Sequence, residues 1–222
     1  MPLPTVFNRL FWFANHKIGF WVFHLGWSYR CAGRRRLPDT GPALLVSNHQ
    51  SFIDPFLVGL CARRPLKFLA RHNLFHKRIL GWFLNEYGAF PIDRDLGKDG
   101  LLAVFDRLAR GEVVTVFAEG ERTRAGELQP FKPGIALLVK RADAPIVPCG
   151  IVGAYECWPR RAKWPRFAPL FLPRSAGSIA VAFGEPVPAG YYRTWTREAI
   201  LADLQQRVAA AVAEARKWQR SR

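Results

Sequence analysis

The chain has 222 residues, half of them hydrophobic, which suits one domain, or one domain plus a short appendage, with a sizeable core. Its 33 basic and 17 acidic residues leave a formal charge of +16, so the partner surface it implies is anionic: phospholipid headgroups, nucleic acid or an acidic carrier. The four cysteines (Cys31, Cys61, Cys149, Cys157) form no Cys-x-x-Cys pair and no His/Cys metal spacing, which excludes a cysteine-built metal site and points to a reduced, cytosol-facing protein.

The first 30 residues are set apart by composition. Between Phe7 and Tyr29 lie nine aromatic residues and two formal charges, Arg9 and Lys17, and no acidic residue precedes Asp39. Phe7, Leu10, Phe11, Ala14, Ile18, Val22 and Leu25 follow helical spacing, while Trp12, Phe13, Phe20 and Trp27 widen the apolar face beyond what a core needs. The longest charge-free run, Ile18 to Tyr29, is shorter than the roughly 20 residues of a spanning helix. No small-residue cleavage site follows it, so a signal peptide is not expected. The pattern predicts a helix or helix pair in the plane of a membrane interface, with a helix packed on the domain as the alternative. The expected division is a membrane-interface segment over 1–30 and an α/β domain over 31–222.

Strand-like runs follow at about 28–36, 43–47, 66–70, 113–117, 146–151 and 178–183, alternating with helical patterns at about 54–62, 74–86, 98–110 and 133–141. The segment 38–42 is a turn, and no internal repeat, low-complexity segment or interdomain linker interrupts the alternation. Such alternation predicts an α/β fold with a mainly parallel central sheet flanked by helices. Residues 194–219 form an alanine-rich amphipathic helix carrying Ile200, Leu201, Leu204, Val208 and Val212, opened by a cap-like Thr-x-x-x-Glu.

Chemistry concentrates in Asn48-His49-Gln50-Ser51-Phe52-Ile53-Asp54, directly after the apolar run 43–46. Histidine is the side chain best suited to move a proton near neutral pH, and a carboxylate beside it fixes its tautomer. Positions five apart face away from each other within one helix, so the pair requires His49 in the turn leaving a strand and Asp54 in the first turn of the next helix. Pro55 suits that helix start. Alone, the same residues read as a capped turn. Ser51 lacks the Gly-x-Ser-x-Gly setting of a nucleophile and reads as a turn or capping residue.

Three further stretches stand behind this one in order: Gly88-Ala89-Phe90-Pro91-Ile92-Asp93-Arg94, Val116-Phe117-Ala118-Glu119-Gly120-Glu121-Arg122-Thr123-Arg124, and Ala144-Pro145-Ile146-Val147-Pro148-Cys149-Gly150. Together the four resemble the sequence blocks of the glycerolipid acyltransferases, the family typified by bacterial 1-acylglycerol-3-phosphate acyltransferase. The resemblance implies His49 as the general base acting on an acceptor hydroxyl, oriented by Asp54. It implies Arg94, Glu119, Gly120 and Arg122 at the headgroup phosphate, with Asn48, Ser51, Thr123 and Arg124 as further candidates. It implies acyl-CoA or acyl carrier protein as donor, a lysophospholipid as acceptor, no metal or organic cofactor, and a place at the cytoplasmic face of the inner membrane. Ala118, Glu121 and Thr123 depart from the family's common Phe-Pro-Glu-Gly-Thr-Arg-Ser. An acidic Glu121 beside a phosphate site either turns outward, pairs with Arg124, or marks a different acceptor, such as another lysophospholipid or an amino-lipid.

Independently of any family, arginine is the residue whose planar fork suits phosphate, and Arg94, Arg122 and Arg124 all lie in loops that follow short apolar or strand-like runs. The stretch Trp158 to Arg174 carries five cations, two tryptophans and four prolines with no acid, which excludes a regular helix and predicts a long loop. Such a loop binds anionic headgroups with its rings at headgroup level, or a nucleic-acid backbone by charge and stacking. A basic binding module explains the charge but not a His-Asp pair with ordered arginine loops, so nucleic acid is not the expected partner.

Overall fold

In a computed structural model the chain is described over residues 5–92, 97–160, 162, 164–171 and 178–219. Seven strands form one sheet: β1 (Arg30–Ala32), β2 (Ala43–Ser47), β3 (Leu66–Arg71), β4 (Ala89–Ile92), β5 (Val113–Phe117), β6 (Ile146–Val152) and β7 (Ala180–Phe183). Their spatial order is β1-β7-β6-β2-β5-β3-β4, and every neighbouring pair is parallel except β6 and β7. The helices are α1 (Thr5–Trp27), α2 (Asp54–Cys61), α3 (Arg78–Glu86), α4 (Lys98–Ala109), α5 (Pro133–Arg141), α6 (Ala154–Cys157) and α7 (Arg197–Trp218). The expected α/β architecture with a mainly parallel sheet is therefore present.

Central strand β2 shows why both faces of the sheet are covered. All five of its residues are buried, and they divide by alternation: Leu44 and Val46 enter one core with Val104, Leu138 and Leu204, while Ala43 and Leu45 enter the other with Leu57, Ile151 and Phe183. On the first side α7 offers Ile200, Leu204, Val208, Ala211 and Ala215, one stripe at helical spacing. The helix starts where Thr196 caps it, its hydroxyl accepting from Ala199 N at 3.3 Å.

Close approach of α7 to β6 depends on Gly150. A Cβ placed there would lie 2.2 Å from Val212 N and 2.3 Å from Ala211 C, both backbone atoms of the helix. Backbone cannot rotate aside as a side chain can, so Gly150→Ala forces α7 off the sheet. The expected cost is about 3 kcal/mol or more, which lowers the melting temperature by roughly 6–12 °C for a chain of this size. A melting temperature unchanged within about a degree would show that helix and sheet slide without loss.

Two elements differ from the sequence reading. Strand β4 lies in a stretch read only as a loop-bearing block. Pro91 removes a ladder donor, and such a residue is tolerated at the sheet edge, where β4 sits. Strand β1 covers three residues instead of nine, because Gly33 takes a left-handed φ of 65° and the arginines 34–36 coil into a short 3-10 turn.

Helix α1 is a single helix rather than a pair. Phe20, Phe23 and Trp27 pack inward beside Tyr29 and Leu57, and the His16 ring pairs with Ala62 O at 3.0 Å at the end of α2. Ile18, Trp21, Val22 and Leu25 stay exposed on the outer side. Residues 164–171 dock against the end of this helix: Ala168 N donates to Gly26 O at 3.0 Å, Leu170 N to Leu25 O at 3.0 Å, and Phe167 stacks on Trp27 with centroids 4.7 Å apart. No described helix is long and apolar enough to cross a membrane.

Candidate active site

Strand register brings the chemistry together. Ser47 on β2 is level with Phe117 on β5, so the residues two further on, His49 and Glu119, emerge side by side at the carboxyl ends of the strands. Ser47 is also level with Cys149 on β6, which places Asn48 next to the last turn of that strand. Open parallel sheets bind ligands at this edge. Here the connection from β5 to β6 passes over β2, which opens the crevice.

His49 and Asp54 meet as their spacing predicts. Asp54 is the first residue of α2 and fully buried, and the imidazole Nδ1 lies 2.8 Å from its Oδ2. The same oxygen accepts the backbone N–H groups of Gln50 at 2.5 Å and Ser51 at 2.8 Å, so one carboxylate shapes the turn and orients the ring. With Nδ1 committed to Asp54, Nε2 is the nitrogen left for a substrate. The ring stacks on Phe117, centroids 4.1 Å apart and planes 19° from parallel, and is 18% exposed at a cavity of about 390 Å³.

Glu119 stands behind the histidine, outside the cavity wall. Its Oε1 accepts the His49 backbone N–H at 3.2 Å, while its Oε2 is buried without a partner among the described residues. Burial pushes its carboxyl up to about 8, against a pull in the other direction from the His49 and Gln129 N–H groups. The native chain thus keeps a proton that the unfolded chain releases near 4.5; the stability it contributes is full below that value and is lost as pH rises toward 8. Glu119→Gln keeps the shape and removes the titration. It is expected to melt as the wild type does near pH 5 and several degrees higher near pH 9, read by thermal unfolding across that range. Equal melting of the two proteins near pH 9 would place the raised group elsewhere.

The remaining predicted residues divide. Arg122 and Gly120 line the cavity, and Gly120 takes a φ of 71° there. Asn48 bridges two strands: its amide donates to Ile151 O at 2.9 Å and its oxygen accepts from Ile151 N at 2.8 Å, extending the ladder between β2 and β6. The Ser51 hydroxyl, buried, donates to Trp158 O at 3.0 Å, in keeping with a turn residue. Thr123 closes a turn, its hydroxyl accepting from Ala125 and Gly126, and its N–H donates to His49 O at 2.8 Å. The Arg124 side chain is exposed outside the cavity wall, and its carbonyl accepts from the Tyr155 hydroxyl at 2.8 Å. Glu121 pairs with Arg160 at 3.8 Å, not with Arg124. Arg94 lies outside the described residues.

Three contributors were not singled out from sequence. Gln50 ties the turn to α6, its oxygen accepting from Ala154 N at 3.1 Å and its amide donating to Gly126 O at 3.0 Å. Arg71, at the end of β3, and Arg160 both line the cavity. The available signal for Arg71 is a cation at the carboxyl end of a strand. Beside the charges, Phe56, Phe68, Leu84, Ile92 and Ile135 give the cavity apolar lining. Three or more His, Cys, Asp or Glu side chains able to hold a metal ion do not gather anywhere among the described residues.

Comparison with known proteins bears on the family of the chain. A family model described as Acyltransferase matches residues 28–152, which span His49, Asp54, Glu119 and Arg122. A chloroplastic 1-acyl-sn-glycerol-3-phosphate acyltransferase of Brassica napus is 30% identical over 131 residues, covering 57% of this chain and 38% of that protein. The 1-acyl-sn-glycerol-3-phosphate acyltransferase of Bacillus subtilis is 28% identical over 122 residues, covering 54% of this chain and 60% of that protein. The one from Pseudomonas aeruginosa is 28% identical over 193 residues, covering 85% and 69%. This chain therefore spans less than two thirds of the Brassica and Bacillus proteins. Its fold is that of the 1-acyl-sn-glycerophosphate acyltransferase PlsC from Thermotoga maritima, with a TM-score of 0.75, 22% identity, and coverage of 94% of this chain and 79% of that one. With the family model matching more than half of its residues, the chain belongs to the acyltransferase family.

Proposed function

We propose that this chain transfers a fatty acyl group from a thioester, acyl-CoA or acyl carrier protein, to the free hydroxyl of 1-acylglycerol 3-phosphate, giving phosphatidic acid at a membrane surface. The observation that carries the reading is the His49–Asp54 pair at 2.8 Å, with His49 lining a cavity that also carries Arg71, Arg122 and Arg160 and a set of apolar side chains. His49 Nε2 takes the hydroxyl proton as the acceptor oxygen attacks the thioester carbonyl. The tetrahedral intermediate collapses, the C–S bond breaks, and the imidazolium returns the proton to the departing thiol. Thioesters are reactive enough that no covalent enzyme intermediate is needed, consistent with the buried, engaged hydroxyl of Ser51. Asp54 holds the tautomer and faces the positive charge that develops on the ring. Arg122 binds the acceptor phosphate, with Arg94 as a second candidate, and the apolar lining takes an acyl chain.

Exposed apolar and aromatic residues on two neighbouring elements support membrane attachment. Ile18, Trp21, Val22 and Leu25 of α1 and Trp164, Phe167 and Phe171 of the docked loop are all exposed, on a chain with a net charge of +16. Aromatic rings at headgroup depth beside cations suit the cytoplasmic face of an anionic bilayer. Four free cysteines accord with a reduced compartment there.

The test is incubation of the purified chain, on anionic vesicles, with labelled acyl-CoA or acyl carrier protein and a panel of lysophospholipids. The expected product is labelled phosphatidic acid, formed from 1-acylglycerol 3-phosphate at least about tenfold faster than products from choline or ethanolamine lysolipids, whose phosphodiesters lack the monoester's extra charge and free oxygen for an arginine fork. A faster reaction with an amino-lipid would move the acceptor and keep the chemistry. No acyl transfer to any lipid would end the reading.

A further inference from the structure

Three arginines reach the cavity from separate elements: Arg71 ends β3, Arg122 follows β5, and Arg160 lies on the loop after α6. Gathering like charges at one cavity is unfavourable without an anion to answer them. Burial, then the field of Arg160, lowers the Arg122 guanidinium from its ordinary value; Arg71 adds to this, and Asp54 opposes it. Among the described residues the carboxylate that answers Arg160 is Glu121, and it does so loosely. Its Oε2 stands 3.8 Å from Arg160 Nη1, beyond the roughly 2.7–2.9 Å of a charge-assisted hydrogen bond, and both side chains are about half exposed.

We propose that Arg160 is a phosphate-binding residue of this cavity and that Glu121 is the counter-ion that an arriving phosphate displaces from it. A guanidinium fork donates to two phosphate oxygens at once, whereas Glu121 holds it at one long contact. The exchange moves no proton and breaks no covalent bond: the carboxylate turns to water as phosphate takes the arginine. Trp158, two residues before Arg160, fixes the start of the loop by packing on Phe52 with centroids 4.4 Å apart and accepting from Ser51. The loop whose far end docks on α1 therefore delivers a cation beside the catalytic histidine. Two phosphates could fill the place, that of the lysophospholipid acceptor or one on the acyl donor; the choice rests on the acyl-transfer reading, and the kinetics separate them.

The experiment compares wild type, Arg160→Ala, Arg160→Lys, Glu121→Gln and the Arg160→Ala/Glu121→Gln pair on vesicles. Expected is a roughly tenfold rise in KM for 1-acylglycerol 3-phosphate in Arg160→Ala, with kcat within about twofold. Lysine at this position restores part of the loss as a single-point cation. Glu121→Gln lowers KM by roughly two- to threefold by removing the competitor, and that gain disappears in the double variant because the two side chains act through each other. If the acceptor KM stays put while that for acyl-CoA rises, and the N-acetylcysteamine thioester, which lacks phosphate, is unaffected, the bound phosphate is the donor's. Unchanged KM values for both substrates in Arg160→Ala, or a Glu121→Gln gain that persists without Arg160, would overturn the proposal. Inorganic phosphate provides a readout without turnover: it should raise the melting temperature of wild type more than that of Arg160→Ala. Equal shifts would also overturn the proposal, whereas a wild type that binds phosphate but transfers no acyl group fails the acyl-transfer reading alone.

Discussion

His49→Ala is expected to lower kcat by about 10³- to 10⁴-fold, the upper range for removing a positioned base, with little change in melting temperature or vesicle binding. The separation of the two effects follows from how the residue is held. What ties this position to the fold is its backbone: its N–H donates to Glu119 and its carbonyl accepts from Thr123, and neither contact depends on the ring. The ring itself stacks on Phe117 and makes one bond to Asp54, which retains the N–H groups of Gln50 and Ser51 when the imidazole is removed. Alanine thus takes away the proton acceptor and leaves the turn. Product formation measured beside thermal melting separates the cases: turnover retained within about tenfold would mean that another group takes the proton, and a collapse in melting temperature would mean the ring supports the fold.

What the sequence makes legible here is local, and what it hides depends on register or on distance. The run 43–46 followed by His49, Asp54 and Pro55 announces a strand, a turn and a helix start, and the structure places β2 and α2 at those positions. Two-residue alternation is invisible in β2 because both faces are buried, so the strand reads as a plain apolar run. Strand β4 is concealed by Pro91, whose missing donor argues against a strand unless its edge position is known. Glu119 reads as a ligand-binding acid within Glu-Gly-x-Arg. Only the pairing of Ser47 with Phe117 reveals that its carboxyl meets the histidine's backbone. Arg160 stands among the five cations of a proline-rich loop, and nothing local in the sequence marks it as a residue of the cavity. Helix α1 is legible as a helix with an over-wide apolar face, and the reading of a helix packed on the domain applies: Phe20, Phe23 and Trp27 pack inward while Ile18, Trp21, Val22 and Leu25 stay exposed.

Substitutions at Asp54 should separate the two tasks that one oxygen performs. Its Oδ2 accepts from Gln50 N, Ser51 N and the His49 ring, at full burial, while Oδ1 has no hydrogen-bond partner among the described residues. Asp54→Ala strands two backbone donors and the ring N–H in a dry setting. At about 1–3 kcal/mol for each unsatisfied group, a total loss of about 3 kcal/mol or more is expected. Activity should fall with it, because the turn that presents His49 loosens. Asp54→Asn keeps a carbonyl where Oδ2 stands, so the three bonds can persist and the melting temperature should drop far less. The asparagine carries no charge, however, and the imidazolium that forms as the acceptor hydroxyl gives up its proton then faces a dipole in place of an anion. A fall in kcat of about 10²- to 10⁴-fold with KM little changed is expected. Melting curves and initial rates on both variants decide the matter. An asparagine variant with wild-type kcat would make Asp54 a turn-former alone, while one as unstable as the alanine variant would show that the buried charge also holds the fold.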